Sequence, residues 1–227
     1  MVDKATVVEL VTKIVLEELK NKKSPAVDWH SKLRQEDKRI PVGVSNRHVH
    51  LSETDIEQLF GTGAKLTHYK DLSQPGQYAC QESITLVGPK GVLEKVRVLG
   101  PVRKATQVEI AISDCFKLGI KAPIRDSGDL EGSASVTLVG PKGSCTIPEG
   151  CIIAGRHIHM HTSDAAKFNL KDGARVSIKA NGPRPVTFGF VLVRVSEKFC
   201  LEFHLDTDEA NAVGLKNNDL VELQIES

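Results

Sequence analysis

Two tripeptides, His48-Val49-His50 and His157-Ile158-His159, each directly preceded by an arginine (Arg47 and Arg156), carry the clearest chemical signal in the chain. Side chains two apart on an extended strand point to the same face, so each motif offers two imidazoles side by side. Neutral imidazole is a good ligand for a borderline-soft ion such as zinc, which it binds at about 2.0–2.1 Å. Apolar residues 40–44 and 151–154 lead into the motifs, so each pair is expected on a β-strand or directly after one. One such pair arises easily by chance; two in matching surroundings point to a duplicated metal-binding element.

Internal repeats extend the set. Residues 161–178, opening on His161-Thr162-Ser163-Asp164-Ala165, resemble residues 206–223, opening on Asp206-Thr207-Asp208-Glu209-Ala210, at an offset of 45. That offset carries His159 onto His204. A further copy, running from Glu109 to Ile120, aligns with 204–215 at an offset of 95 and places Glu109 opposite His204. The two His-x-His pairs are themselves 109 residues apart. Each half therefore supplies three candidate ligands: His48, His50 and Glu109 in the first, His157, His159 and His204 in the second. Three protein ligands and an open position are the usual arrangement of a catalytic zinc. His161 would share a face with His157 and His159, but its counterpart is Ser52, which makes it a neighbour of the site rather than a ligand. His30 and His68 fit no repeat. The spacing is equally compatible with one shared metal, two separate ones or a close pair.

Arg103 lies six residues before Glu109 and Arg194 ten before His204. Either guanidinium can meet a phosphate or carboxylate bidentately. The loops around Gln74-Pro75-Gly76-Gln77 and Arg125-Asp126-Ser127-Gly128 add turn chemistry and polar groups.

The elements that position these groups are short β-branched segments punctuated by glycine and proline. Ser83-Ile84-Thr85-Leu86-Val87-Gly88-Pro89-Lys90-Gly91 recurs nearly verbatim at 135–143, a strand running into a proline turn, and is read as architectural. The expected fold is mainly β, two small β-barrel domains capped by short helices, over 39–155 and 156–227, with the first strand open to sharing between them. Ahead of them, residues 1–20 contain an amphipathic helix at 3–20. Val7, Val8, Val11, Ile14, Val15 and Leu19 form its apolar stripe, and 21–38 is a polar linker. Such a helix either docks on its own domain or lays its apolar face on a partner protein.

A net charge of +1 and 4% aromatic residues provide neither a basic nor a stacking surface, which argues against nucleic acid. No apolar run approaches the roughly 20 residues that span a bilayer, and no secretory signal opens the chain, so a cytoplasmic protein is expected. Five cysteines without a C-x-x-C pair read as reduced thiols, with a nucleophilic cysteine as the competing role.

Ser45-Asn46-Arg47-His48-Val49-His50-Leu51-Ser52, Arg156-His157-Ile158-His159-Met160 and the surroundings of Glu109 and His204 resemble the PduL-type phosphate acyltransferases, the phosphotransacylases of bacterial microcompartments, over about residues 38–225. The resemblance implies two β-barrels with a dinuclear zinc site, His48, His50 and Glu109 holding one ion and His157, His159 and His204 the other. It implies interconversion of an acyl-CoA (typically propanoyl-CoA) plus phosphate with acyl-phosphate plus CoA, as in propanediol degradation, by zinc-assisted direct attack of phosphate. In that reading Arg103 positions phosphate, with Arg194, Gln74, Gln77, Gln107 and Ser127 as further contacts, and Lys70, Arg97 and Asn211 meet the CoA nucleotide. The helix at 3–20 resembles an encapsulation peptide that binds shell or cargo proteins in the microcompartment lumen, and a homo-oligomer is expected.

Three other readings compete. Many metal-dependent hydrolases open their site with His-x-His, but on one large α/β barrel with more long helices than this pattern contains. A cupin-like oxygenase would hold iron. A microcompartment scaffold would hold zinc in closed four-ligand sites without turnover.

Overall fold

The computed structural model describes residues 38–224. The helix expected over 3–20 and nearly all of the linker 21–38 lie outside the described residues. Among the latter the chain is mainly strand, with four helices of seven or eight residues.

Two six-stranded barrels are built by the same pattern of neighbours. The first closes through β2 (His48–His50), β5 (Val92–Gly100), β4 (Tyr78–Val87), β8 (Ala134–Val139), β9 (Ser144–Ala154) and β6 (Gln107–Glu109). β3 (His68–Asp71) flanks β4, and β7 (Ile124–Arg125) pairs with the end of β9. The second closes through β10 (His157–Met160), β12 (Val186–Val195), β11 (Arg175–Ala180), β14 (Leu220–Gln224), β1 (Arg39–Ser45) and β13 (Glu202–Asp206). Parallel and antiparallel pairings match position by position around the two rings. Even the registers match: β13 sets Phe203 against Val42, as β6 sets Val108 against Cys151.

The chain nevertheless crosses between them. β1 completes the second barrel and runs through two residues into β2 of the first. β9 completes the first and runs through two residues into β10 of the second. Each repeat thus donates its opening strand to the other repeat's barrel.

Alternation explains which side chains are left for the site. Val49 and Val108 fill the first core, and Ile158 and Phe203 fill the second. The histidines and carboxylates between them in sequence therefore stand on the outer faces of the barrels. Both barrels carry a bulge at the same place, where β5 and β12 each gain a residue against their antiparallel neighbours. The residues in the left-handed region there are Lys95 (φ 56) and Phe190 (φ 59), related by the offset of 95, so the repeat is preserved in backbone conformation as well as in sequence.

The helices are α1 (Glu53–Phe60), α2 (Ile112–Leu118), α3 (Thr162–Phe168) and α4 (Thr207–Val213). Ser52, His161 and Asp206 cap α1, α3 and α4 by accepting a hydrogen bond from a backbone N–H of the first turn. The duplicated proline turns receive the helix ends. Lys90 N–H donates to the Leu118 carbonyl at the end of α2, and Lys142 N–H to the Leu59 carbonyl near the end of α1, both at 3.0 Å. A Cβ at Gly88 would stand 2.3 Å from the Leu118 oxygen and one at Gly140 2.5 Å from the Leu59 oxygen, so backbone packs on backbone and only glycine fits. Gly88→Ala should lower stability by about 1–3 kcal/mol through this overlap. Gly189→Ala, with nothing within 4 Å of its Cβ, should change it by less than about 0.5 kcal/mol. Urea midpoints of the two variants check the contrast.

Candidate metal and phosphate site

The short central strands fix the site. β2 and β6 run antiparallel with His48 opposite Glu109 and His50 opposite Gln107. β10 and β13 repeat this with His157 opposite His204 and His159 opposite Glu202. Each barrel thus presents a two-by-two patch of polar side chains on its outer face, and both patches wall one cavity of about 770 Å³. That size falls in the range of small-molecule and cofactor sites.

In the first patch His48, His50 and Glu109 bring their ligand atoms within 4.8 Å of one another. Glu109 Oε2 lies 3.4 Å from His48 Nε2. In the second, the rings of His157, His159 and His204 pack with centroids 4.8–5.1 Å apart, and His157 and His159 meet Nε2 to Nε2 at 2.9 Å. The first histidine of each pair is held the same way: His48 Nδ1 lies 2.8 Å from the Asn46 carbonyl and His157 Nδ1 2.9 Å from the Gly155 carbonyl. Donation from Nδ1 to a carbonyl leaves the Nε2 lone pair facing the cavity.

The electrostatics keep His50, His157 and His159 neutral. Burial, then His48 and Arg103, draws His50 down to about 3. Burial and His204 draw His157 to about 4, and burial with His157 and His204 draws His159 to about 2. Burial pushes the Glu109 carboxyl up, but His48, His50 and Arg103 outweigh it and hold it below the ordinary carboxylate value. Neutral imidazoles beside an ionised carboxylate are the protonation states that metal binding requires. The Nδ1 atoms of His50 and His159, at equivalent positions of the repeat, are buried with no hydrogen-bond partner of ordinary geometry. Donor types and protonation fit a borderline-soft divalent ion held by His48, His50 and Glu109.

Arg103 reaches this cavity from a loop rather than from a continuous strand: its backbone forms only an isolated bridge to Ser52. Its Nη2 lies 2.9 Å from His50 Nε2 and its Nη1 donates to Ser127 Oγ at 3.4 Å. Arg194, beside His159 on β12, lines the opposite wall. Gln74, Gln77, Ser127, Lys70 and Arg97 also line the cavity. Gln107 stands behind it, donating to Glu109 Oε1 at 2.5 Å and to Ser127 Oγ at 2.8 Å, so it supports Glu109 from the rear. Asn211 lies exposed on α4 and is not among the lining residues, which include Asn217 and Asn218 instead. His161 does not share the ligand face: it caps α3, as Ser52 caps α1, and its Nδ1 accepts from Ser163 N–H at 3.1 Å.

No cysteine lines the cavity. Burial pushes the Cys80 and Cys145 thiols up to about 11 and Cys151 to about 12, which leaves them protonated and inert at neutral pH.

Two features escaped the sequence reading. Glu202 is a buried carboxylate 2.6 Å from His204 Nε2. Its place two residues before His204, on the same strand face, was the signal available for it. The arginines ahead of the His-x-His pairs are the other. Arg47 is bidentate to Asp114 at 2.8 and 3.0 Å, and Arg156 is paired with Glu209, the repeat equivalent of Asp114. They pin the start of each histidine strand to the first turn of the helix that follows its partner strand. Arg47→Ala leaves the buried Asp114 without its cation and should cost about 1–3 kcal/mol. A double-mutant cycle with Asp114→Ala in urea should return a coupling of that order; additive effects would contradict it.

A family model described as phosphate propanoyltransferase (PTAC) matches residues 41–216. A phosphate propanoyltransferase of Thermotoga maritima is 58% identical over 183 residues, covering 80% of this chain and 87% of that protein. One from Rhodopseudomonas palustris is 52% identical over 185 residues, 82% of each chain. One from Lachnoclostridium phytofermentans is 48% identical over 215 residues, 94% of this chain and 96% of that protein.

Proposed function

Because the chain belongs to the phosphate propanoyltransferase family, we propose that the cavity between its barrels interconverts propanoyl-CoA plus phosphate with propanoyl-phosphate plus CoA, with two zinc ions. His48, His50 and Glu109 would hold one, and His157, His159 and His204 the other. The observation that carries this reading is that two repeat-related ligand sets wall one cavity together with two arginines.

In the direction of acyl-phosphate synthesis, a phosphate oxygen attacks the thioester carbonyl carbon. The C–S bond breaks, its electron pair leaves on sulfur, and the new C–O bond completes the acyl-phosphate. Zinc, when bound, supplies Lewis-acid polarisation and a soft site for thiolate. Arg103, braced by His50 and Ser127, has further guanidinium N–H groups free to orient phosphate, and Arg194 supplies a second cation from the other barrel. Gln77 adds a donor on one wall, whereas both amide N–H groups of the buried Gln74 are taken up by the Cys200 carbonyl and Glu202. Lys70 and Arg97, exposed among the lining residues, suit the phosphates of the CoA nucleotide. The protonated thiols and the absence of cysteine from the lining favour direct attack by phosphate over a cysteine-bound acyl intermediate.

The protein as purified should contain about two zinc ions per chain and release CoA from propanoyl-CoA only when phosphate is added. His48→Ala and His159→Ala should each lower that rate by about a hundredfold or more. Unchanged rates would overturn the assignment. Thioester hydrolysis without acyl-phosphate would point to a hydrolase, and oxygen consumption with bound iron to an oxygenase.

The amphipathic pattern at 3–20 further supports recruitment to the lumen of a bacterial microcompartment. The 215-residue match to the Lachnoclostridium phytofermentans protein is longer than residues 39–227, so it includes part of the amino-terminal segment. A homo-oligomer is supported by Ile112 and Phe116, one turn apart and exposed on α2. Deleting residues 1–20 should leave the rate intact and abolish co-purification with shell proteins; retained co-purification would contradict this role.

A further inference from the structure

We propose that Glu202 is the positioning residue of the second ligand set, orienting His204 and tying that set to the loop at 72–77. This rests on the two-zinc reading above. Glu202 is buried, and a single oxygen, Oε2, gathers three groups: His204 Nε2 at 2.6 Å, Ser73 Oγ at 2.5 Å and Gln74 Nε2 at 3.0 Å. Gln74 is closed from the other side by Cys200, accepting from its N–H at 3.2 Å and donating to its carbonyl at 3.1 Å. The loop from the first barrel is therefore fastened to the histidine patch of the second through this carboxylate.

The repeat does not duplicate this carboxylate. Glu202 occupies the position held by Gln107 in the first barrel, while His204 occupies that of Glu109. The first set carries its anion as a ligand; the second, with three imidazoles, carries it one step behind. A dication held by three neutral imidazoles lacks a compensating charge in a buried setting, and a carboxylate bonded to one of the rings supplies it while fixing the tautomer.

The backbone is fitted to this carboxylate. Gly43 on β1 pairs with His204, and a Cβ at 43 would lie 2.7 Å from both Cδ and Oε1 of Glu202. Its counterpart beside Glu109 is Ile152. Glycine stands where this carboxylate needs room.

The test is zinc content and affinity of the full chain under dialysis against a competing chelator, with metal-free melting as the control for folding. Glu202→Gln should keep the first zinc and bind the second about 10–100-fold more weakly, so that the protein retains about one per chain. Gly43→Ala alters no proposed ligand but displaces the carboxylate, and should shift the second zinc in the same direction even if Glu202→Gln fails to fold. Two zinc ions held with unmutated affinity in Gly43→Ala or in folded Glu202→Gln would overturn the role of Glu202 and leave the two-zinc reading standing. An unmutated chain without zinc would overturn both.

Discussion

The reciprocal exchange of β1 and β9 is the constraint on which the site depends. Each strand closes one barrel and, two residues later, becomes the histidine strand of the other. The connections, Asn46-Arg47 and Gly155-Arg156, therefore lie where the barrels meet. Their carbonyls orient His48 and His157, and their arginines anchor to Asp114 and Glu209. Neither ring closes without a strand from the other repeat, so the geometry that completes the two cores also brings the two ligand patches together.

Alternation along short strands then divides the work. Val49, Val108, Ile158 and Phe203 face inward and hold the barrels, while their sequence neighbours face outward and form the site. Burial keeps His50, His157 and His159 neutral, and an ionised Glu109 or Glu202 beside the site rings offsets the charge that a metal would bring. The same desolvation that costs free energy for isolated charges prepares the ligands.

Much of this was legible in the sequence because the duplication kept its offsets. Glu109 and His204 emerged from aligning repeats, although neither belongs to a His-x-His pair. Strands at His48 and His157 are expected from the apolar runs ahead of them, and short capping helices are expected without fixed positions. Other features could not be read that way. Glu202 aligns with a glutamine, so the repeat hid it. His161, set aside as a ligand because its counterpart is Ser52, is still expected to share the strand face of His157 and His159; it is instead a helix cap, as Ser52 is. The sequence leaves sharing of the first strand open, because its membership of the second barrel depends on pairing between residues more than 160 positions apart.

Two exchanged repeats present the two proposed sulfur-free ligand sets to one cavity. Zinc-edge X-ray absorption on the metal-loaded chain, free of CoA, addresses this arrangement most directly. The expected result is about two zinc ions per chain with only nitrogen and oxygen neighbours, at about 2.0–2.2 Å. A sulfur shell near 2.3 Å, or a single zinc that persists when His48 and His157 are both replaced by alanine, would contradict it.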